Sequence, residues 1–255
     1  MSSAHMQAGH IGVDRLSDML ADASRVVFFG GAGVSTESGI PDFRSAGGLY
    51  TLHAGGARPP EYMLSHSCWR DHPADFYAFY RENMLYPQAE PNGAHTALAR
   101  LEDAGTLRAV VTQNIDGLHQ RAGSRTVHEL HGSVLRNRCV LCGAQYPMET
   151  ILTSTGIPRC EADGGIIKPD VVLYEEGLDP DVMDAAVRDI SSADVLVVGG
   201  TSLNVYPAAG LLDYFRGQHL VLINKSATPA DHRAELVIHE AIGEVLTQAV
   251  DVALS

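Results

Sequence analysis

The sequence is short of positive charge. Its 255 residues carry 18 Lys and Arg against 31 Asp and Glu, a net charge of −13. Such a surface repels a phosphate backbone, which disfavours nucleic acid as a partner. It tolerates lysine-rich protein segments. Long hydrophobic runs are also missing. No apolar stretch is long enough to span a bilayer, and no charged start leads into a secretory core. No membrane partner is therefore expected; a cytoplasmic location and a monomer are the accompanying expectations. Cysteine is scarce. Four in a chain of this length do not make a disulfide framework, and three that cluster fit a metal in a reducing compartment better. Internal repeats and low-complexity tracts are absent.

What is present is an apolar fraction of 45%, enough for a sizeable core in one large domain or a domain with a modest insertion. Met1 to Met6 are set aside from the fold. Leu16, Met19, Leu20 and Ala23 fall at helical spacing within Ile11 to Ser24. Val26-Val27-Phe28-Phe29 reads as a strand buried on both faces, and Gly30 to Arg44 follows as a glycine-rich turn. Ser45 to Pro59 reads as a mobile loop, Met63 to Tyr86 as one helix, and Ala94 to Leu101 as another, stopped by Gly105. Ala109 to Thr112, Val195 to Gly200 and His219 to Asn224 read as strands, with Leu236 to Ile238 at an edge. Met183 to Ile190, Ala208 to Phe215 and Ile242 to Ala249 carry helical stripes. Apolar strands alternating with helices predict an α/β fold with a doubly wound, mostly parallel sheet. Its ligands sit outside the carboxyl ends of the strands.

The polar residues gather at those ends. Gly31 and Gly33 let the backbone approach a ligand closely, and free N–H groups after such a turn suit a phosphate or pyrophosphate. The common dinucleotide fingerprint is incomplete, with Thr36 in place of its third glycine. Gln113-Asn114-Ile115-Asp116 follows a buried strand. Its amides and carboxylate suit ribose hydroxyls or a carboxamide, although Asn114 and Asp116 suit a helix cap as well. His131, before Gly132, has the chemistry of a general base near neutrality. Cys139-Val140-Leu141-Cys142 and Cys160 form most of a zinc ribbon. Asp163 stands where the second knuckle needs cysteine, which leaves a Cys3Asp zinc site or a weakened metal site open. Lys168 to Glu176 is an extended run. With Gly200 to Val205 it offers backbone edges to a peptide or serves as plain connecting chain.

Gly-Ala-Gly-Val-Ser-Thr-Glu-Ser-Gly-Ile-Pro-Asp-Phe-Arg, Thr-Gln-Asn-Ile-Asp, Glu-Leu-His-Gly and Gly-Thr-Ser-Leu occur in this order. In this the chain resembles the sirtuins, NAD-dependent protein lysine deacylases, and most of all their compact bacterial members. The resemblance implies a Rossmann-like large domain over 7–44, 87–131 and 170–255. A smaller domain would comprise the helical segment and cofactor loop of 45–86 and a zinc-ribbon module over 132–169. It implies NAD at Gly31, Ala32, Thr36, Phe43, Arg44, Gln113, Thr201, Ser202, Asn224 and Ile242, with Ile115 and Asp116 on the nicotinamide carboxamide. Asn114 would order the ribose and a water, and His131 would be the general base. One structural zinc would lie at Cys139, Cys142, Cys160 and Asp163. An acyl-lysine protein segment would meet Val171, Val172, Leu173 and Val205, its acyl group near Tyr77 and Tyr80. The products would be free lysine, nicotinamide and O-acyl-ADP-ribose.

Some positions depart from the family pattern. Sirtuins that favour succinyl- or malonyl-lysine carry Tyr-x-x-Arg on the helix lining the acyl pocket. Here Tyr77 matches, Tyr80 stands at the arginine position and Arg81 follows. One residue turns a helical side chain by about 100°, so Arg81 is expected to point elsewhere and uncharged acyl groups, acetyl first, to be preferred. Leu173-Tyr174-Glu175-Glu176 replaces the more usual Phe-Phe-Gly-Glu. An ADP-ribosyltransferase and a non-catalytic NAD- or peptide-binding module are the alternatives, and Asn114 and His131 speak for deacylation.

Overall fold

A computed structural model describes residues 3–54 and 58–255. Its strands are β1 (Val26–Gly30), β2 (Leu107–Thr112), β3 (Val127–Glu129), β4 (Gly132–Cys139), β5 (Gln145–Pro147), β6 (Ile167–Val171), β7 (Val195–Gly199), β8 (His219–Ile223) and β9 (Leu236–Ile238). Its α-helices are α1 (Ser3–Asp22), α2 (Leu49–Leu52), α3 (Pro60–Met63), α4 (His66–Asp71), α5 (Pro73–Asn83), α6 (Gly93–Asp103), α7 (Leu118–Arg121), α8 (Met148–Thr153), α9 (Pro180–Ser192) and α10 (Ile242–Ala253).

Six strands form one sheet in the order β3-β2-β1-β7-β8-β9, with every pair parallel. Parallel strands need crossovers that cover both faces, so β1 and β7 are buried at every position. Successive side chains of β1 serve opposite layers. Phe28 packs with Leu16, Leu20, Leu98 and Leu246, from α1, α6 and α10. Phe29 packs with Ile190, Leu196 and Leu211 on the other side. Each fully buried ring contributes roughly 1.5–3 kcal/mol of transfer free energy. The strand order reverses between β1 and β7, and the crevice of such a sheet opens at that point.

A second sheet, β5-β4-β6, is antiparallel. A third apolar cluster, with Phe76, Tyr80, Ile151 and Ile167, joins it to α5 and α8. Several expectations change here. The run from Met63 to Tyr86 is not one helix. Ser65 caps α4 by accepting from the Cys68 N–H at 3.1 Å, and Pro73, which has no N–H to donate, opens α5 at its first turn. The stripe from Ala208 to Phe215 is a 3₁₀ helix, Ala208–Tyr214. Helix α1 begins at Ser3, so it takes in residues that the sequence reading set aside. Strand β3 escaped notice because three half-buried residues carry no period. Gly105 ends α6 at φ 85, as expected. Part of the loop 45–59 lies outside the described residues, and α2 forms within it.

Two histidines lie under α6 and α7. His95 and His119 are 0% and 1% exposed, with ring centroids 4.7 Å apart. His95 Nδ1 accepts from the Asn92 N–H at 3.2 Å, while among the described residues His95 Nε2 and both nitrogens of His119 have no partner. Burial pushes their pKa values down, to about 4 for His95 and about 3 for His119. The unfolded chain takes up protons near pH 6.5 and the folded chain does not. Their contribution is therefore complete above about pH 6.5 and is lost on acidification, by about 1.4 kcal/mol per pH unit for each ring. Urea titrations between pH 7 and 4.5 are expected to show this loss, and His119→Leu to flatten the slope. An unchanged slope in the variant would show that other groups carry the acid limb.

Candidate active site

A cavity of about 1080 Å³ opens where the tips of β1, β2, β7 and β8 face the exit of β6. The glycine turn builds its floor. After β1 the chain makes two short 3₁₀ turns, Ala32–Val34 and Thr36–Ser38. The Gly33 N–H donates to the Gly200 carbonyl at 2.7 Å. A Cβ on Gly33 would lie 2.7 Å from the Gly200 Cα, so only glycine lets these two strand tips cross. Gly200 itself sits at φ 60. Two side chains fasten the turn from behind. Asn92 Nδ2 donates to Val34 O and Ser38 Oγ at 2.8 and 2.9 Å, and Glu37 accepts from the Gly243 N–H at the start of α10 at 2.9 Å.

The polar centre follows β2. Ser35 Oγ donates to Asp116 Oδ2 at 2.6 Å and accepts from Asn114 Nδ2 at 3.1 Å. Asp116 Oδ1 accepts from the Leu118 N–H at 2.9 Å. Burial raises the Asp116 pKa against the pull of these bonds. His131 Nδ1 lies 2.9 Å from the Gln113 carbonyl oxygen. A carbonyl only accepts, so Nδ1 carries the proton and Nε2 keeps its lone pair. Burial lowers the His131 pKa, and the bond to Gln113 acts the other way, so the ring is neutral at pH 7 and ready to take a proton.

Sequence reasoning missed Ser35. It lies between a valine and a threonine in a turn with other hydroxyls, and only burial separates them. Ser35 is 1% exposed, whereas Thr36 Oγ1 turns back to Gly33 O at 3.0 Å.

The remaining candidates divide clearly. Gly31, Ala32, Thr36, Phe43 and Arg44 line the cavity from the β1 side, and Gln113 and Ile115 from the β2 side. Thr201, Ser202, Asn224 and Ile242 line its far end. There Asn224 Oδ1 accepts from the Thr201 N–H at 2.9 Å, while Asn224 Nδ2 is buried without a partner among the described residues. An orphaned donor beside a glycine turn fits a ligand rich in acceptor oxygens, as NAD is. Val171, Val172, Leu173 and Val205 line the mouth, and Tyr80 the wall below it. Tyr77 does not belong to the cavity. It is fully buried, and its hydroxyl donates to Ile167 O at 2.7 Å, because its face of α5 packs onto β6. Arg81 also turns away, to Ile151 O and Ser154 Oγ at 2.8 and 2.7 Å.

Outside the cavity, the ligand atoms of Cys139, Cys142, Cys160 and Asp163 all lie within 4.8 Å of one another. Cys139 Sγ is 3.2 Å from Asp163 Oδ1, and Cys142 Sγ is 3.7 Å from Cys160 Sγ. Three sulfurs and a carboxylate form a zinc donor set. The turn beside them is built close, since a Cβ on Gly165 would lie 2.6 Å from Cys139 Sγ.

A sequence model of the Sir2 family matches residues 31–207. An NAD-dependent protein deacetylase of Cutibacterium acnes is 58% identical over 92% of this chain and 96% of its own length. Another, of Clostridium acetobutylicum, is 56% identical over 93% of this chain and 98% of its own. Among solved structures, a Sir2 with deacetylated p53 peptide and 3′-O-acetyl-ADP-ribose superposes with a TM-score of 0.85. It is 38% identical and covers 93% of this chain and 96% of its own. A Sir2 homologue in complex with NAD gives 0.84 at 36% identity, over 94% and 93%. The chain belongs to the Sir2 family.

The zinc centre leads to a direct test. Purified protein is expected to hold zinc. Asp163→Ala is expected to lose it severalfold faster to a chelator, whereas Asp163→Cys retains it at least as well. Equal retention in wild type and Asp163→Ala would remove the carboxylate from the ligand set.

Proposed function

We infer that this cavity is where the acyl-lysine of a protein segment meets NAD, and that the roles divide as follows. The protein is an NAD-dependent protein deacetylase, with NAD consumed as co-substrate. Bound NAD supplies an ADP-ribose acceptor for the acyl group and nicotinamide as the leaving group. The glycine turn and Asn224 Nδ2 donate hydrogen bonds to the dinucleotide, with Thr36, Arg44, Gln113, Thr201, Ser202 and Ile242 around it. Asp116 and the Ile115 backbone hold the carboxamide, and Asn114, fixed by Ser35, orders the ribose. Phe43 covers the reacting sugar and keeps water out until the acyl oxygen is in place. His131 Nε2 takes the proton of a ribose hydroxyl, and its Nδ1–H stays on Gln113. Val171 to Leu173 and Val205 hold the peptide from two sides.

The observation that carries this reading is the 2.9 Å contact between His131 Nδ1 and the Gln113 carbonyl oxygen, which sets the tautomer. A half-buried neutral imidazole with Nδ1 bound to a carbonyl is a base that need not first lose a proton. Arg81, bound to Ile151 O of α8 and to Ser154 and so turned away from Tyr80, supports a preference for uncharged acyl groups.

The two sheets and their separate cores support a large domain over 7–44, 87–131 and 170–255 with the smaller parts at 45–86 and 132–169. Among the described residues no helix is long and apolar enough to cross a membrane. Unpaired thiols at the metal centre support a cytoplasmic location. The charge of −13 supports a protein partner over nucleic acid, and a monomer completes the reading.

Incubation with NAD and an acetyl-lysine peptide is expected to yield nicotinamide, deacetylated peptide and O-acetyl-ADP-ribose in equal amounts. His131→Ala is expected to lower kcat by about 10²–10⁴, the range of a lost general base, while calorimetry still shows NAD binding. Transfer of ADP-ribose to protein, or binding without turnover, would replace the reading. On one peptide backbone acetyl is expected to leave faster than succinyl, and the reverse order would place a cation at the acyl wall.

A further inference from the structure

In its hydrogen bonds the loop that carries Phe43 and Arg44 is mostly tied to itself. The Leu49 and Tyr50 N–H groups donate to Asp42 O and Phe43 O at 2.8 and 2.9 Å, so the start of α2 backs onto the two cavity residues. Tyr50 is the centre of this fold-back. Its ring meets Phe43 edge-on with centroids 5.9 Å apart, and the Arg44 guanidinium lies 5.2 Å above it. Among the described residues, two side-chain hydrogen bonds tie residues 42–54 to the rest of the protein. One joins His53 to Asn83 at 2.9 Å. The other joins the Tyr50 hydroxyl to the hydroxyl of Tyr174.

Tyr174 belongs to the segment that leaves β6 past the cavity mouth, and this segment is held firmly. The Tyr174 N–H donates to Leu64 O at 3.1 Å and its carbonyl accepts from the His66 N–H at 3.0 Å. Next to it, Glu175 sits at φ 76, a conformation that L side chains rarely adopt. Its carboxylate accepts from Ser67 N and Oγ at 2.9 and 2.7 Å. Glu176 accepts from the Leu173 N–H at 2.9 Å and from Lys168 Nζ at 3.1 Å. The loop is anchored to the smaller core by Leu49 and Phe43 and to α5 by His53, on Asn83 and Phe79, and it meets the segment at the cavity mouth through one hydroxyl pair.

We propose that Tyr174 is a positioning residue: its hydroxyl holds Tyr50, and through Tyr50 it sets Phe43 and Arg44 over the dinucleotide when the neighbouring residues 171–173 hold a peptide. The proposal rests on the assignment of NAD and peptide given above. It deepens that assignment by making the peptide segment a determinant of NAD affinity in the working complex. Tyr174 touches neither the reacting atoms nor the proton in flight.

The test is a double-mutant cycle on the full chain, with KM for NAD measured at saturating acetyl-lysine peptide. Tyr174→Phe and Tyr50→Phe each remove one hydroxyl and keep the ring. Each is expected to raise KM for NAD about three- to tenfold, the range of one neutral hydrogen bond, with a smaller fall in kcat. The double variant is expected to be no worse than either single one, because both lose the same bond. A packing defect would not give that pattern. If wild type is active and the two effects multiply, or if KM for NAD stays put, the latch is wrong and the site assignment stands. If wild type releases no nicotinamide with NAD and peptide, the site assignment itself falls and takes the latch with it.

Discussion

The site depends on a contact between two backbones. Gly33 and Gly200 cross so closely, with a 2.7 Å bond from N–H to carbonyl, that neither tolerates a side chain. That crossing lies where the strand order of the large sheet reverses. It brings the turn after β1 against the tip of β7, and the polar groups beyond β2 and β8 then close around one volume. A larger residue at either position would push the tips apart and move Ser35 away from Asn114 and Asp116. The chemistry of the centre is thus a consequence of main-chain geometry before any catalytic side chain enters.

Ser35 shows how much rests on that placement. One hydroxyl serves two side chains of the polar centre, as donor to a carboxylate and acceptor from an amide. Inside a buried site each bond polarises the other, and the pair fixes which way the Asn114 amide faces. His131 is set in the same manner, by a carbonyl belonging to the strand-end residue Gln113. These are backbone and small-residue constraints on large functional groups, and the hydrophobic layers around Phe28 and Phe29 keep the strands that carry them in register.

The parallel sheet was legible because its strands are unbroken apolar runs and its helices carry clear stripes. The strand-tip residues Gln113 to Asp116, Thr201 and Asn224 were legible for the same reason, since polar groups directly after a buried strand have few other places to go. Strand β3 was not legible, as three half-buried residues are too few to show a period. The break between α4 and α5 was marked by Pro73 and overruled by the aromatic stripe beyond it. Ser35 was hidden among hydroxyls of equal standing, and only its burial distinguishes it. Tyr77 was misplaced because sequence spacing locates a residue on a helix but does not say which of two partners that face meets. The activity was legible only through the four motifs shared with sirtuins, which no pattern of periods contains, and the Sir2 relatives bear that reading out.

The metal lobe has a consequence of its own. Four thiols around an ion can, under oxidation, close into two covalent bridges and keep a small sheet in shape. Three thiols and a carboxylate cannot: Cys142 and Cys160 stand 3.7 Å apart at sulfur, and Cys139 faces the oxygens of Asp163. One bridge at most is available, and it strands a sulfur. Covalent bridging therefore cannot stand in for the ion in this lobe, whose shape rests on the four-residue donor set.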